Sequence, residues 1–161
     1  MKKILFVASE GVPFIKTGGL ADVVGALPKC IDREYYDVRV ILPKYVCMTQ
    51  AMKDRLTYRT HFYMDFHWQN QYVGIMESEV DGIKFYFIDN EFYFNGFKPY
   101  CDNALFEIEK FAFFSKAALS ILPVIDFRPD LIHCHDWQTG LVPVYLHERF
   151  QGSDFYRGIK T

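Results

Sequence analysis

The sequence predicts an α/β domain: a mostly parallel sheet with helices on both faces and an antiparallel hairpin insertion. Residues 4–8 form a continuous apolar run, which is typical of a parallel strand buried on both sides. This strand and another at 130–134 each lead through a loop into a predicted helix, the first of which has helical apolar spacing. Asp81-Gly82, between two apolar segments, is a strong two-residue hairpin signal. These observations favour a parallel sheet that carries a local antiparallel pair.

The first helix is predicted from four apolar residues that recur at the spacing of one helix face: Leu20, Val23, Val24 and Leu27. Pro28 lacks a backbone donor and is expected to end or bend this helix. The remaining elements are predicted as a strand at 36–43, a loop or weak helix at 44–56, an antiparallel strand at 56–66, a hairpin of 73–80 and 83–88, an aromatic loop at 90–103, a helix at 104–122, a strand at 129–134, a helix at 138–150 and the start of a strand at 158–161. The helix at 104–122 has an expected apolar stripe of Leu105, Ile108, Phe111 or Ala112, Ser115 and Leu119. The helix at 138–150 is predicted despite an internal proline, Pro143.

Composition limits the class of protein. A chain of 161 residues, half of it apolar, supports one domain with a substantial core. The formal net charge is −2, so no overall basic field recruits nucleic acid or an anionic membrane. No apolar run approaches the roughly 20 residues that a membrane-spanning helix needs, and the N-terminal apolar segment lacks the features of a signal peptide. A cytoplasmic protein with reduced thiols is therefore expected, at Cys30, Cys47, Cys101 and Cys134.

The loop between the first strand and the first helix has the chemistry of an anion site. Gly18 and Gly19 carry no Cβ, so a phosphate could approach the amides at the start of the helix. Lys16 adds a full positive charge on a flexible stem. The loop is neither a dinucleotide-binding G-x-G-x-x-G nor a P-loop, because Ile15 stands where a P-loop has glycine. The alternative is a solvated lysine beside a glycine turn that only lets the chain reverse.

Residues 16–23 read Lys-Thr-Gly-Gly-Leu-Ala-Asp-Val and resemble the K-T-G-G-L-A-D-V signature of bacterial glycogen synthases and plant starch synthases. The signature stands at the family's usual place, directly after the first strand. The resemblance runs along the whole chain but covers only the N-terminal part of that family's longer sequence. It implies that residues 1–161 are a single Rossmann-like domain: the truncated, glucan-acceptor-side N-terminal lobe of a GT-B glycosyltransferase, whose C-terminal nucleotide-binding lobe is absent.

A second segment, residues 133–137, resembles the H-x-H-D-W motif of the same synthases. It follows a short buried strand and precedes a helix, so its loop should open at the same sheet edge as the glycine loop. Three alternatives remain for it. Its metal-competent side chains suggest a zinc site: His133, Cys134, His135 and Asp136. A Cys–His nucleophile is less compatible with a strand, where adjacent residues point to opposite faces. The third alternative is that Asp136 only caps the following helix.

The resemblance implies roles for individual residues of this second segment. Asp136 would approach the transferred glucose and serve as the catalytic carboxylate. His135, Trp137 and Gln138 would line the sugar pocket. Family members carry either His or Gln at position 138, so Gln138 is compatible with that role.

The resemblance also implies roles in the first loop and beyond it. Lys16, Gly18 and Gly19 would bind the diphosphate of the donor. Asp22 is favourable near a helix N-terminus in any case, and the resemblance places it close to the nucleotide sugar, in contact with glucose hydroxyls or supporting the loop. Tyr93 stands where the family places a cleft tyrosine, although most aromatic residues in so aromatic a chain belong to the core.

The function implied is transfer of glucose from ADP-glucose, or UDP-glucose in some relatives, to the non-reducing end of an α-1,4-glucan with retention. No metal or other cofactor is expected, and without the C-terminal lobe the chain alone is expected to be inactive. One alternative is a glucan- or nucleotide-binding module without catalysis. A nicotinamide-dependent oxidoreductase domain is disfavoured because its G-x-G-x-x-G fingerprint is absent. The main interpretation requires the Lys16 ammonium and the glycine amides to lie at the same rim as Asp136.

Overall fold

The structure, a computed structural model, describes every residue from Met1 to Thr161. Its elements are β1 (Lys2–Val7), α1 (Gly19–Cys30), β2 (Tyr36–Pro43), α2 (Gln50–Lys53), β3 (Thr57–Phe66), β4 (Gln69–Val80), β5 (Ile83–Asp89), α3 (Glu91–Phe94), α4 (Ala104–Val124), β6 (Leu131–Cys134) and α5 (Leu141–Tyr145). A 3₁₀ turn (Trp137–Thr139) precedes α5, and a π-helical turn (Leu146–Phe150) follows it. None of the helices combines the length and the apolar character needed to cross a membrane.

All six strands form one sheet in the order β3-β4-β5-β2-β1-β6. Strands β5, β2, β1 and β6 pair in parallel, while β4 pairs antiparallel with both β3 and β5. The predicted α/β class, with a mostly parallel sheet and an antiparallel insertion, is therefore confirmed. The hairpin turn also forms where predicted: Val80 pairs with Ile83, and Asp81 and Gly82 have the positive φ values, 52° and 75°, that a type I′ turn requires.

Helices cover both faces of this sheet, and aromatic side chains fill the layers between. On one face, Phe113 of α4 packs edge-on against Phe66 of β3, with ring centroids 5.6 Å apart. The strand register places Phe66 and Phe87 on opposite faces. On the second face, Phe14 from the loop before α1 packs against Phe85 and Phe87 of β5. The loop that precedes α1 is thus anchored in the core.

Helix α1 forms where predicted, but only part of its predicted apolar face is buried: Val24 is buried and Leu20 is half-buried. Val23 and Leu27 are 47% and 37% exposed, and the buried residues are Ala21, Val24, Gly25 and Pro28. The reason is a close approach to the preceding loop, since a Cβ at Gly25 would lie 2.1 Å from Cγ2 of Val12. The helix therefore docks through small residues. Pro28 does not end it, because the helix continues for two more residues.

Helix α4 also forms where predicted, and the first half of its predicted stripe is wrong. Leu105 and Ile108 are 80% and 56% exposed, whereas Glu107 and Lys110 are buried. Lys110 Nζ donates to Glu107 and, at 2.7 Å, to a backbone carbonyl of the preceding loop. Glu107 accepts the Cys101 amide at 3.0 Å. This ion pair satisfies the backbone of the loop that covers the helix, so a charged face is the buried one. The later stripe positions are buried as predicted: Phe111, Ser115 and Leu119.

Three further differences concern element boundaries. The helix predicted at 138–150 is divided into the 3₁₀ turn, α5 and the π-helical turn. Pro143 lies in the first turn of α5, where a missing N–H costs no helical bond. The short helix α3 lies inside the predicted aromatic loop. Lys160 forms a single parallel bridge with Leu131, in keeping with the strand predicted to start at 158.

Candidate functional site

The order of the strands creates a crevice between β1 and β6. The chain passes from β1 to β2 on one side of β1 and later returns to β6 on the other side. Ligands of open α/β sheets bind at such reversals, beyond the carboxyl ends of the strands. Val7 and Cys134, the last residues of β1 and β6, are register partners in a parallel pair. The two loops that carry the sequence motifs therefore leave the sheet side by side at one rim, as the sequence interpretation requires.

The first loop is held by a residue that sequence reasoning missed. Glu10 is buried, with 3% of its surface exposed, and its Oε2 accepts the Thr17 amide at 2.5 Å and the Thr17 hydroxyl at 2.8 Å. Hydrogen bonds to a carboxylate are stronger than those between neutral groups. Glu10 thus fixes the residue between Lys16 and Gly18. The only sequence feature that could have indicated this role of Glu10 is its position two residues after the apolar run 4–8.

Lys16 is exposed at the rim rather than buried in an internal ion pair. Its Nζ donates to both carboxylate oxygens of Asp22, at 2.7 and 2.8 Å. The two side chains are 52% and 57% exposed. Such a pair contributes little to stability, because water screens it. Asp22 therefore holds the lysine over the start of α1 and leaves it accessible to an anion.

The N-terminus of α1 is open at the same place. Gly18 has extended backbone geometry, and no side chain caps the helix. A Cβ on Gly19 would meet nothing within 4 Å, so the space above its backbone is free. The first amides of the helix carry partial positive charge. The Lys16 ammonium, which is paired with Asp22, lies in the same loop as these amides.

The second loop places Asp136 in a strained conformation. Its φ of 59° and ψ of −180° lie in a region that is almost restricted to glycine. The Asp136 side chain makes no capping hydrogen bond to the 3₁₀ turn and is exposed, so the capping alternative is wrong. A residue held against its backbone preference, with a carboxylate free of protein partners, is typical of a functional site.

Two buried polar atoms near Asp136 have no hydrogen-bond partner: Nε2 of His135 and Oε1 of Gln138. Burial lowers the pKa of His135 to about 4, and the neighbouring charge of His133 contributes, so the imidazole is neutral at pH 7. Burial raises the pKa of Cys134 to about 11, which removes the thiolate that a Cys–His nucleophile needs. No three His, Cys, Asp or Glu side chains converge as metal ligands, so the zinc alternative gains no support.

Tyr100, in the predicted aromatic loop, bonds the first loop and lines a cleft with Trp137, a role that the sequence did not indicate. Its hydroxyl lies 2.7 Å from Oγ of Ser9, directly after β1. Burial raises the pKa of Tyr100 to about 12, and the carboxylates of Glu10 and Asp136 also raise it. Trp137 is 58% exposed, with its ring edge against Phe111. Tyr100 and Trp137 line one cleft of about 450 Å³.

Tyr93 lies apart from this cleft. Its ring is buried, stacked 4.5 Å from the ring of Phe113, and its hydroxyl donates to Oε1 of Glu109 at 2.8 Å. Burial and this hydrogen bond raise the pKa of Tyr93. The structure thus brings together Lys16, Asp22, the two glycines and the 135–138 segment, and it places Tyr93 in the core at the edge of another cleft.

The sequence model of the family described as the starch synthase catalytic domain matches residues 3–161. The chain belongs to this family. The glycogen synthase of Lachnoclostridium phytofermentans is 65% identical over 161 residues, which are 100% of this chain and 34% of that protein. The glycogen synthase of Lachnospira eligens is 62% identical, with the same two coverages. The chain thus spans about a third of the length of these relatives.

Among solved structures, the catalytic domain of starch synthase IV from Arabidopsis thaliana, bound to ADP and acarbose, has the same fold. The TM-score is 0.84 at 32% identity, over 98% of this chain and 32% of that one. The predicted resemblance to the starch synthase family is therefore confirmed over residues 3–161.

Proposed function

We propose that this chain is the acceptor-side lobe of a retaining hexosyltransferase that moves glucose from ADP-glucose to the non-reducing end of an α-1,4-glucan. The observation that carries the proposal is that the Lys16 loop and the Asp136 loop meet at the β1/β6 crevice. Relatives about three times as long are glycogen synthases, which supports a second lobe opposite this crevice. That lobe would hold most of the nucleotide.

Departure of a nucleoside diphosphate leaves negative charge that the protein must stabilise. The Lys16 ammonium and the amides of Gly18 and Gly19 would supply positive charge that is already oriented, so little reorganisation is needed during the reaction. Lys16 Nζ lies 2.7 Å from Oδ1 of Asp22. When the donor is bound, this ammonium would contact the diphosphate as well as Asp22. A carboxylate repels a diphosphate, so Asp22 itself would face the hydroxyls of the sugar.

Asp136 would orient the glucose as its anomeric carbon gains positive charge. Its carboxylate makes no bond to the 3₁₀ turn and so keeps its accepting capacity for a sugar. The buried Nε2 of His135 and Oε1 of Gln138 have no hydrogen-bond partner within the chain. Sugar hydroxyls, which both donate and accept, would pair with these atoms, and Trp137 would cover the sugar at the rim. No step in this scheme uses a metal ion.

The test is a chimera that joins this chain to the remaining two thirds of the Lachnoclostridium phytofermentans glycogen synthase. We expect it to incorporate labelled glucose from ADP-glucose into glycogen, with UDP-glucose assayed in parallel. Lys16→Ala should lower kcat/KM by about 10²–10³. Lys29→Ala is the matched control, because Lys29 also forms a partly exposed ion pair, 2.6 Å from Asp81, at the other end of α1.

The outcomes separate the proposal from a binding module. The isolated chain should show no measurable transfer. Equal rates for the two lysine variants, or turnover by the chain alone near that of the chimera, would contradict the assignment. Tight binding of ADP or an oligosaccharide by the chain, with an inactive chimera, would favour the module without catalysis.

A further inference from the structure

We propose that the cleft between the end of β3, helix α4 and the π-helical turn after α5 binds a small phosphorylated metabolite, a phosphomonoester on a flat apolar body. The cleft has a volume of about 570 Å³, within the range of small-molecule sites. None of the residues that line it belongs to the Lys16 loop or to the 135–138 segment. The site is therefore distinct from the β1/β6 crevice, and the proposal does not depend on glucose transfer.

Two cations from different elements line this cleft. They are Lys116 of α4 and Arg149 of the π-helical turn. Neither side chain forms an ion pair with a carboxylate of the chain. Glu148, the neighbour of Arg149 in sequence, lies instead 2.8 Å from Nδ1 of His147. The cleft thus holds two positive charges that the protein itself does not neutralise by pairing.

Asp65 is the one acidic residue in the lining, and its carboxylate points away from these cations. The carboxylate accepts Nδ2 of Asn70 at 2.8 Å, and the next residue, Phe66, packs against Phe113 of α4. Because adjacent residues of a strand point to opposite faces, the Asp65 carboxylate lies on the face of the sheet away from α4. Only the Asp65 carbonyl meets Lys116, whose Nζ donates to it at 2.5 Å. The ammonium is held by a neutral acceptor and keeps two N–H donors for a ligand.

The backbone that carries Arg149 has an uncommon geometry. The Gln151 amide donates to the Leu146 carbonyl at 2.9 Å, a bond across five residues that closes a π-helical turn. Such turns are rare and often occur at functional sites. Burial raises the pKa of Tyr145, and the charge of Arg149 partly opposes that rise. The Tyr145 hydroxyl therefore lies within reach of the guanidinium and adds a neutral donor to the cleft.

The charges and the walls of the cleft indicate the class of ligand. A phosphomonoester carries a charge of about −1.5 to −2 at pH 7, which matches two cations better than the single charge of a carboxylate does. The planar guanidinium of Arg149 can bind two phosphate oxygens at once, and Lys116 adds a point charge. The apolar part of the lining is Phe66, Ala112 and Phe150. A phosphate on a flat ring would place its charge on the two cations and its body against this wall.

AMP is the ligand for the test, because it joins a phosphomonoester to a flat base. Titration calorimetry is done with the Lys16→Ala chain, so that binding at the first loop does not contribute. We expect saturable binding with a Kd below about 1 mM, the upper end of the usual range for enzyme substrates. Inorganic phosphate and adenosine carry only the anion and only the flat body, and each should bind weaker than AMP by about fivefold or more. Added salt should weaken the binding of AMP, because it screens exposed charges.

Arg149→Gln in the same background should weaken AMP binding about tenfold, because hydrogen bonds to a charged group are lost. Arg149 is exposed and forms no ion pair, so its replacement should leave the fold intact. Arg157→Gln is the matched control, since Arg157 is an exposed arginine in an open pair with Asp154 and does not line the cleft. The control removes the same net charge and should change the affinity by less than about twofold. Thermal melting of both variants checks the fold.

The proposal is overturned if AMP does not bind, if adenosine or inorganic phosphate binds as tightly as AMP, or if the two arginine variants weaken binding equally. Amide chemical shifts locate the ligand, and we expect the changes to centre on residues 112–116 and 145–150. Changes confined to residues 16–22 would assign the binding to the first loop and would also overturn the proposal. These measurements involve no glucose transfer, so they can succeed or fail whatever the activity of the chimera.

Discussion

Replacing Asp136 by glycine should stabilise the fold while removing the role that we propose for this residue. Asp136 has a φ of 59° and a ψ of −180°, which costs a non-glycine residue about 1–3 kcal/mol. Glycine removes this strain, but it loses more conformational freedom on folding, which offsets about 0.5–1 kcal/mol of the stabilisation. The expected net gain is about 1 kcal/mol. For a domain of this size, that raises Tm by about 2–4 °C.

Asp136→Ala provides the comparison, since it keeps the Cβ and therefore the strain. The Asp136 side chain makes no capping bond, so alanine should change stability by less than about 0.5 kcal/mol. A working cap would cost about 0.5–2 kcal/mol. Calorimetry and urea unfolding of the wild-type, glycine and alanine chains give the three values. Both variants should lose at least about 100-fold in transfer by the chimera.

The reasoning is refuted if the glycine variant is no more stable than the alanine variant. It is also refuted if alanine costs more than about 1 kcal/mol, because Asp136 would then support the fold through a bond that the structure does not contain.

Three further perturbations test the supports of the site and the core. Glu10→Ala should cost about 1–3 kcal/mol and speed hydrogen exchange at the Thr17 amide, whereas Glu10→Gln keeps an acceptor and should lose less. Lys110→Met should cost about 3–5 kcal/mol in urea unfolding, because it leaves the Glu107 carboxylate buried without its partner. Burial lowers the pKa of His135 to about 4, from an ordinary value of 6.5. The unfolded chain therefore takes up this proton first, and stability should fall by on the order of 2–3 kcal/mol as the pH drops through that interval.

Each of these has a result that contradicts it. If hydrogen exchange at the Thr17 amide is unchanged in Glu10→Ala, the conformation of this loop does not depend on the Glu10 carboxylate. If Lys110→Met is not partly rescued by adding Glu107→Gln, the loss does not come from the buried charge. His135→Gln should flatten the dependence of the urea midpoint on pH between 4 and 6.5. If the profile stays equally steep, other titrating groups cause this pH dependence.

Local patterns predicted the elements well where one physical rule dominates. Asp81 and Gly82 formed the expected turn because few residues other than glycine, asparagine and aspartate accept positive φ. The continuous apolar run at 4–8 and the short strand predicted at 129–134 became the parallel strands β1 and β6. The division of the 138–150 segment was missed, because Pro143 is tolerated in the first turn of a helix and a sequence pattern does not locate that turn.

Helix faces were predicted less well because the neighbouring chain decides them. Val23 and Leu27 look like core residues, yet Gly25 lets α1 approach the preceding loop and turns them outward. On α4, the pairing of Glu107 with Lys110 made a charged face the buried one. Neither contact leaves a periodic signal, since each depends on how the preceding loop folds back onto its helix.

By itself, the sequence determined the two strand–loop–helix units and the residues that they carry: Lys16 with its glycines, and Asp136 before Trp137. Short-range rules suffice for this, because turn chemistry and apolar runs act within a few residues. The shared rim of the two loops followed from those units, but only the tertiary structure decided that the loops are neighbours, since strand order reverses at β1 and places β6 beside it. It also decided that Glu10 anchors the first loop and that the Asp136 backbone is strained. Those features arise from contacts and torsions that no spacing along the chain records.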